Sequence, residues 1–301
     1  MTNARVMVAG YLSVDRIELP GAVHQHVPGG AALYAALGVR FAGACATLVA
    51  TTGADYPHAW MKEIAALGID ISQVSASPGT SRRATLRHAR SGARVSPHHR
   101  DALWWERTRA LAPRTPASFE GFSAVTLGPM PAQRLVDFVS AAHGRVPVIV
   151  ADTSEAFAAN NLQMILALLP RLSVFAPSCE ETRLMCAGQS DDEAAYSLAR
   201  CGVHVLQKRG AQGALAVMAG GQSALKIEAW PGQLIDSTGA GDASVGALAA
   251  HLAQGRPFVA AAQAALKAGA KAISGIGPAG FGLQVGAGKG NEFLFEDSPT
   301  P

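Results

Sequence analysis

The sequence is poor in aromatic side chains, with 10 Phe, 4 Tyr and 4 Trp in 301 residues, and only 16% of it is charged. A core of stacked rings is excluded, and so is a chain held open by self-repulsion. A core of Ala, Val and Leu closed by tight turns remains, for which 32 Gly are available. Cys45, Cys179, Cys186 and Cys201 form no C-x-x-C pair, which speaks against a zinc site or a disulfide framework and for a reducing compartment. Positive charge is scarce as well. The formal net charge is +3 and the basic residues are spread along the chain, so nucleic acid is not an expected partner. The opening stretch MTNARVMVAGYLSVD breaks at Gly10 and turns polar at Asp15, too soon for a signal peptide or a membrane span. The expectation is a cytoplasmic protein without a membrane partner.

What is present is an alternation. Apolar runs at Arg5 to Ala9, Ala46 to Thr51, Ala124 to Leu127, Val146 to Ala151, Leu172 to Phe175 and Val203 to Gln207 are separated by Ala/Leu-rich segments of helical spacing. That order predicts a mostly parallel sheet with helices on both faces. Thr80 to Val95 instead alternates polar and apolar residues, which predicts antiparallel edge strands around a Ser91-Gly92 turn, a flap beside the active site. Periodicity fades after Gly282, and residues 284–301 are expected to be a flexible tail.

The densest chemistry lies at Leu234 to Gly255, where a strand-like run meets Gly239 and Gly241 and then a helix with Val245, Leu248, Ala249 and Leu252 on one stripe. Two glycines before a helix leave the amides of Gly239, Ala240, Gly241 and Asp242 pointing at an anion from the helix N-terminus. Asp242 is either an ordinary cap of that helix or a catalytic carboxylate. Ser178 and Glu181, in PSCEE, read as a capping box and equally as a polar pair facing a ligand.

The run Asp236-Ser237-Thr238-Gly239-Ala240-Gly241-Asp242 resembles the D-T-x-G-A-G-D signature of the ribokinase-like, or PfkB, carbohydrate kinases. Further matches follow the family's order. Gly29-Gly30 opening an Ala-rich helix resembles its G-G-x-x-x-N-x-A element, Ser13 to Asp15 its first strand end, Ser178 to Glu181 its N-x-x-E motif, and Lys208 to Gly213 its nucleotide-bordering turn. The resemblance implies a three-layer α/β/α kinase domain over residues 1–283, with an abbreviated β lid drawn from about 15–29 and 80–96.

It implies ATP and Mg²⁺ as cofactors, a small-molecule acceptor, and a monomer or homodimer. Asp242 is then the base, and Gly239, Ala240 and Gly241 form the anion hole. Ser13, Asp15, Gly30 and Tyr34 hold the acceptor; Ser178, Glu181, Lys208, Gly210 and Lys267 face the nucleotide. Glu181 meets Mg²⁺ through water, and the neighbourhood of Asp236 and Thr238 meets a monovalent cation such as K⁺. Tyr34 stands where the family has Asn, and Ser178 where it has Asn.

A carbohydrate or polyol is the first acceptor expected, a nucleoside the second, and a catalytically silent metabolite sensor is the rival from another class. A dehydrogenase reading lacks its G-x-G-x-x-G after the first strand. The basic stretch of Arg82, Arg83, Arg87, Arg90, Arg94 and Arg100, with His88, His98 and His99, is either a solvated edge or a contact for an anionic acceptor.

Overall fold

The structure is a computed structural model that describes residues 4–92 and 102–284. In chain order, β1 (Arg5–Ala9) leads into a hairpin of β2 (Ser13–Leu19) and β3 (Ala22–Gly29), then α1 (Ala31–Phe41), β4 (Cys45–Gly53), α2 (His58–Ala66) and β5 (Ile69–Ser77). After β6 (Arg82–Arg87) come α3 (Ala102–Ala110), β7 (Ala124–Leu127), α4 (Ala132–Ala142), β8 (Val148–Ala151), α5 (Glu155–Asn160), α6 (Leu162–Leu168) and β9 (Val174–Phe175). The chain continues through α7 (Cys179–Met185), α8 (Asp191–Ala199), β10 (His204–Lys208), β11 (Ala214–Val217), β12 (Ala224–Ile227), α9 (Ala240–Ala253) and α10 (Phe258–Ala272).

The six apolar runs become strands of one nine-stranded sheet. From one side, β5, β4, β1, β7, β8, β9 and β10 run parallel, and β11 and β12 extend the β10 edge antiparallel. Both faces are covered, as a parallel sheet requires. Within β1, Val6 and Val8 face the core beneath α1, α9 and α10, while Met7 and Ala9 face the core beneath α4 to α8. The chain order reverses at β1, whose neighbours are β4 and β7. The crevice above its C-terminal end is where such sheets bind ligands.

Two expectations need correction. The helix after the glycine turn is not amphipathic: α9 is buried on every face from Ala243 to His251, because it lies between α1 and α10. Small residues allow this. A Cβ on Gly246 would overlap the Ala35 carbonyl, and one on Gly38 would overlap that of Ala243, so α1 and α9 touch backbone to backbone.

The stretch from Thr80 also differs from the expected pattern over its described residues, while residues 93–95, where the second antiparallel strand is expected, lie outside them. Its one described strand, β6, runs parallel to β2 and joins β2 and β3 in a three-stranded lid sheet, so lid and flap are a single element. Alternation reports a half-exposed strand but not its direction. Arg94, His98, His99, Arg100 and the expected tail from 285 onward lie outside the described residues. Among the described residues no helix is long and apolar enough to cross a membrane.

Candidate active site

Glycine-sized gaps fasten the lid to the sheet. Gly30 has φ +99° and begins α1, and a Cβ there would overlap the carbonyl of Tyr11; a Cβ on Gly29 would overlap the Asp15 carboxylate. The Gly-Gly pair therefore lets the helix start pack directly against the end of β1 and against Asp15. Ser13 and Asp15 are 2% and 3% exposed, on a strand flanked by β3 and β6.

Tyr34, on the first turns of α1, is fully buried, and its ring fills the space a Cβ on Gly239 would take. Burial, with Asp15, Asp236 and Asp242 nearby, holds its phenol well above the usual value, so it stays protonated. One side chain thus links the acceptor side to the glycine turn.

That turn is set by Gly239, at φ 74°, which caps α9 in the left-handed region. Asp242 is the third residue of the helix, half-buried, so the capping position belongs to Gly239 and not to the acid. The first-turn amides of α9 have no intrahelical acceptors, Ala240 N making one long bond to Ser237 O (3.4 Å), and they carry the positive end of the helix dipole. Before them Asp236, 1% exposed, accepts from Thr238 N (2.9 Å), Thr238 Oγ1 (2.7 Å) and Gly277 N (2.8 Å). Because these oxygens already have protein donors, a monovalent cation here would be met by backbone carbonyls of the turn.

Opposite the amides, the stem of Lys208 runs over Gly241, and a Cβ there would lie 3.3 Å from Lys208 Cδ and 3.7 Å from Nζ. Lys208 Nζ donates to Asp152 Oδ2 in a short, buried ion pair. Burial alone would lower the lysine, but Asp152, Glu181 and Asp242 around it keep its pKa above the ordinary value, so it is charged.

Glu181 is pushed up to about 8, chiefly by burial, against the pull of Lys208 and with the push of Asp152. It also completes a capping box: Ser178 N donates to Glu181 Oε2 (2.6 Å) and Glu181 N to Ser178 Oγ (3.3 Å). The capping-box reading of this pair holds. Three carboxylates about a single ammonium suit Mg²⁺, a hard cation that takes few carboxylates and keeps several waters. Asp152, absent from the sequence expectations, is an acid at the C-terminal end of a parallel strand, a position that could have announced it.

The structure therefore gathers Asp15, Tyr34, Asp236, Thr238, Gly239, Ala240, Gly241, Asp242, Ser178, Glu181 and Lys208 around the crevice. Gly210 and Lys267 stand apart from this buried group. Gly210, φ +55°, is exposed on a turn after β10, and Lys267 is exposed on α10 with Nζ 4.3 Å above the half-exposed Trp230 ring.

The arginines of β6 are neither wholly solvated nor aimed together. Arg83 pairs with Asp55 (2.5 Å), Arg87 with Glu18 (2.5 Å), and Arg82 lies 4.6 Å over Tyr11 and 5.1 Å over Trp104. A cavity of about 820 Å³ lies elsewhere, between α3, α4 and the α5–α6 junction, lined by Trp105, Arg109, Arg134 and Asn161 among others. It contains no member of the Asp242 cluster.

The pfkB family carbohydrate kinase model matches residues 4–282. The chain belongs to this family. It is 24% identical over 255 residues to a cytidine kinase of Thermococcus kodakarensis, covering 84% of this chain and 90% of that protein. A nucleoside kinase of Burkholderia thailandensis, solved with inosine, superposes with TM-score 0.75 at 20% identity, covering 91% of this chain and 93% of the other. A candidate ribokinase II from E. coli, solved with ATP and Mg²⁺, superposes with TM-score 0.72 at 21% identity over 92% and 94%. The ribokinase-like fold is thereby shown.

Proposed function

We propose that this pfkB kinase works in the cytoplasm and transfers the γ-phosphoryl group of ATP to a hydroxyl of a small carbohydrate, the ribose of a nucleoside included. The observation that carries it is the convergence of the α9 helix start, Asp242 and the buried Lys208. Phosphoryl transfer asks mainly for positioning and for neutralisation of charge, and this site offers both.

Asp15 and the Gly30 backbone orient the acceptor. Asp242 takes the proton of the attacking hydroxyl as its oxygen bonds to the γ-phosphorus and the bond to the β,γ-bridging oxygen breaks, releasing ADP. The amides of 239–241 and the Lys208 ammonium meet the phosphoryl oxygens. Glu181 and Asp152 would hold Mg²⁺, which when bound neutralises phosphate charge.

A nucleoside acceptor is favoured by the aromatic group on the acceptor side. Arg82 pairs with Ser13 across the lid sheet and lies over Tyr11 and Trp104, whose ring meets Trp105 and Phe157. The half-buried Trp104 and Trp105 suit a base better than they suit a free sugar. The kinase named for cytidine and the one solved with inosine lend weight to the same choice.

The test is ADP formation with Mg²⁺ and K⁺ against cytidine, inosine, ribose and fructose, with Asp242→Asn in parallel. Turnover on one acceptor, lost by at least about a hundredfold in Asp242→Asn, is the expected result. If no acceptor is turned over while ATP still raises the melting temperature, the reading is wrong and the chain is a ligand sensor.

A further inference from the structure

His88 takes no part in the mechanism above, yet it is 8% exposed and lies between the lid and the catalytic turn. Its backbone still belongs to the lid, donating to Glu18 O at 3.0 Å just past the end of β6. Its side chain reaches across. Nδ1 is 3.0 Å from Ser237 Oγ, Nε2 is 3.0 Å from Thr238 Oγ1, and Nε2 is 3.6 Å from Asp236 Oδ1.

The partners on the far side are themselves engaged. The Thr238 hydroxyl donates to Asp236 Oδ1 (2.7 Å), so the Nε2–H of the imidazole donates to Thr238. Ser237 Oγ also bonds Gly92 O at 2.7 Å, closing the loop after β6 onto the same turn. One lid side chain therefore grips two successive residues immediately before Gly239, the residue whose left-handed conformation aims the α9 amides.

Resting on the kinase reading, we propose that His88 is a positioning residue for phosphoryl transfer: it fastens lid strand β6 to the Ser237–Thr238 turn, so that lid placement and the alignment of Gly239–Asp242 are a single state. It touches neither ATP nor acceptor. Its contribution is to the placement of groups that act on the transition state, where an error of about 1 Å costs on the order of a hundredfold. A plain structural staple would stabilise the fold and leave the folded enzyme's turnover alone.

The experiment uses the full chain with ATP and Mg²⁺, on whichever of cytidine, inosine, ribose and fructose the wild type phosphorylates. His88→Ala is expected to lower kcat by about tenfold to a hundredfold, with KM for ATP changed less than about threefold, because the loss falls on the transition state. ATP hydrolysis without acceptor, relative to acceptor phosphorylation, should rise as lid and turn uncouple.

His88→Gln, whose amide corresponds to the Nε2 position, should recover more activity than His88→Asn, whose amide corresponds to Nδ1, since the Thr238 arm leads on to Asp236. Ser237→Ala combined with His88→Ala should cost little more than His88→Ala alone. Wild-type kcat in folded His88→Ala, or additive losses in the pair, overturns the proposal while leaving the kinase reading intact. If His88→Ala does not fold, unchanged kcat in both His88→Gln and Ser237→Ala overturns it. A wild type that phosphorylates none of the four acceptors sinks the kinase reading, and this proposal with it.

Discussion

Where the phosphates are expected, the site consists of helix-start amides and a charge cluster of Lys208, Asp152 and Glu181; where the acceptor is expected, it consists of the buried side chains of Ser13, Asp15 and Tyr34 roofed by a lid. The first end holds charge under tension, since its carboxylates outnumber the cation among them. The second is held by packing, with glycines cut to the shape of their neighbours. A site that must bind a nucleotide together with a divalent cation tolerates poor internal electrostatics, because the cation completes them. A site that must recognise hydroxyls cannot, and is held in shape by its own packing.

The largest effect on that contrast should come from Lys208. Its side chain is 15% exposed and that of Asp152 is 3% exposed, so Lys208→Met leaves a buried carboxylate without its partner. The expected cost is about 3–5 kcal/mol of stability, read as a lowered denaturation midpoint, together with loss of the ATP-induced rise in melting temperature. A variant as stable as wild type would mean that the charges are not under tension, and the contrast between the two ends would break.

Glu181 sharpens the same point with pH. Its folded pKa, about 8, lies above the ordinary glutamate value of 4.5, so the folded state binds more protons than the unfolded state between those values. Stability contributed by the protonated carboxyl is then full below the ordinary value and is lost as pH rises toward 8. Glu181→Gln keeps an acceptor for Ser178 N and removes the titration. Without ATP or Mg²⁺, its melting temperature should exceed that of wild type at pH 8 and converge on it near pH 4, while its affinity for Mg²⁺-ATP falls. Parallel curves for the two proteins from pH 4 to 8 would contradict a buried, strained carboxylate.

The same contrast governs what was legible in the sequence. The phosphate end was readable because its residues are local: Asp236 to Asp242 is one run, and Ser178 with Glu181 is one helix turn. The strands were readable because apolar runs of that length bury on both faces. The acceptor end depends on pairings distant in sequence. That β6 lies parallel to β2 is a tertiary fact which an alternating pattern does not encode, and His88 was one more basic residue in a basic stretch until the fold set it 3.0 Å from Ser237 and Thr238. Asp152 needed only the rule that acids at parallel strand ends face the crevice. The burial of α9 on all faces was hidden because Ala and Gly mark a stripe weakly and a close helix contact strongly.

Tyr34 gives the smallest expected effect and the finest test of the acceptor end. It occupies the family's Asn position, and its hydroxyl has no hydrogen-bond partner among the described residues although it is 1% exposed. The ring, packed on Gly239, holds the turn by shape. Tyr34→Phe keeps the shape and deletes the hydroxyl, so it should change stability by no more than about 1 kcal/mol, in either direction. If the hydroxyl serves the acceptor, kcat/KM for the acceptor falls by about fivefold to tenfold, the worth of one neutral hydrogen bond, with KM for ATP unmoved. A loss of stability well beyond that limit would mean that the hydroxyl is already satisfied within the folded chain, through a buried water, and that Tyr34 belongs with the packing of the lid and not with recognition of the substrate.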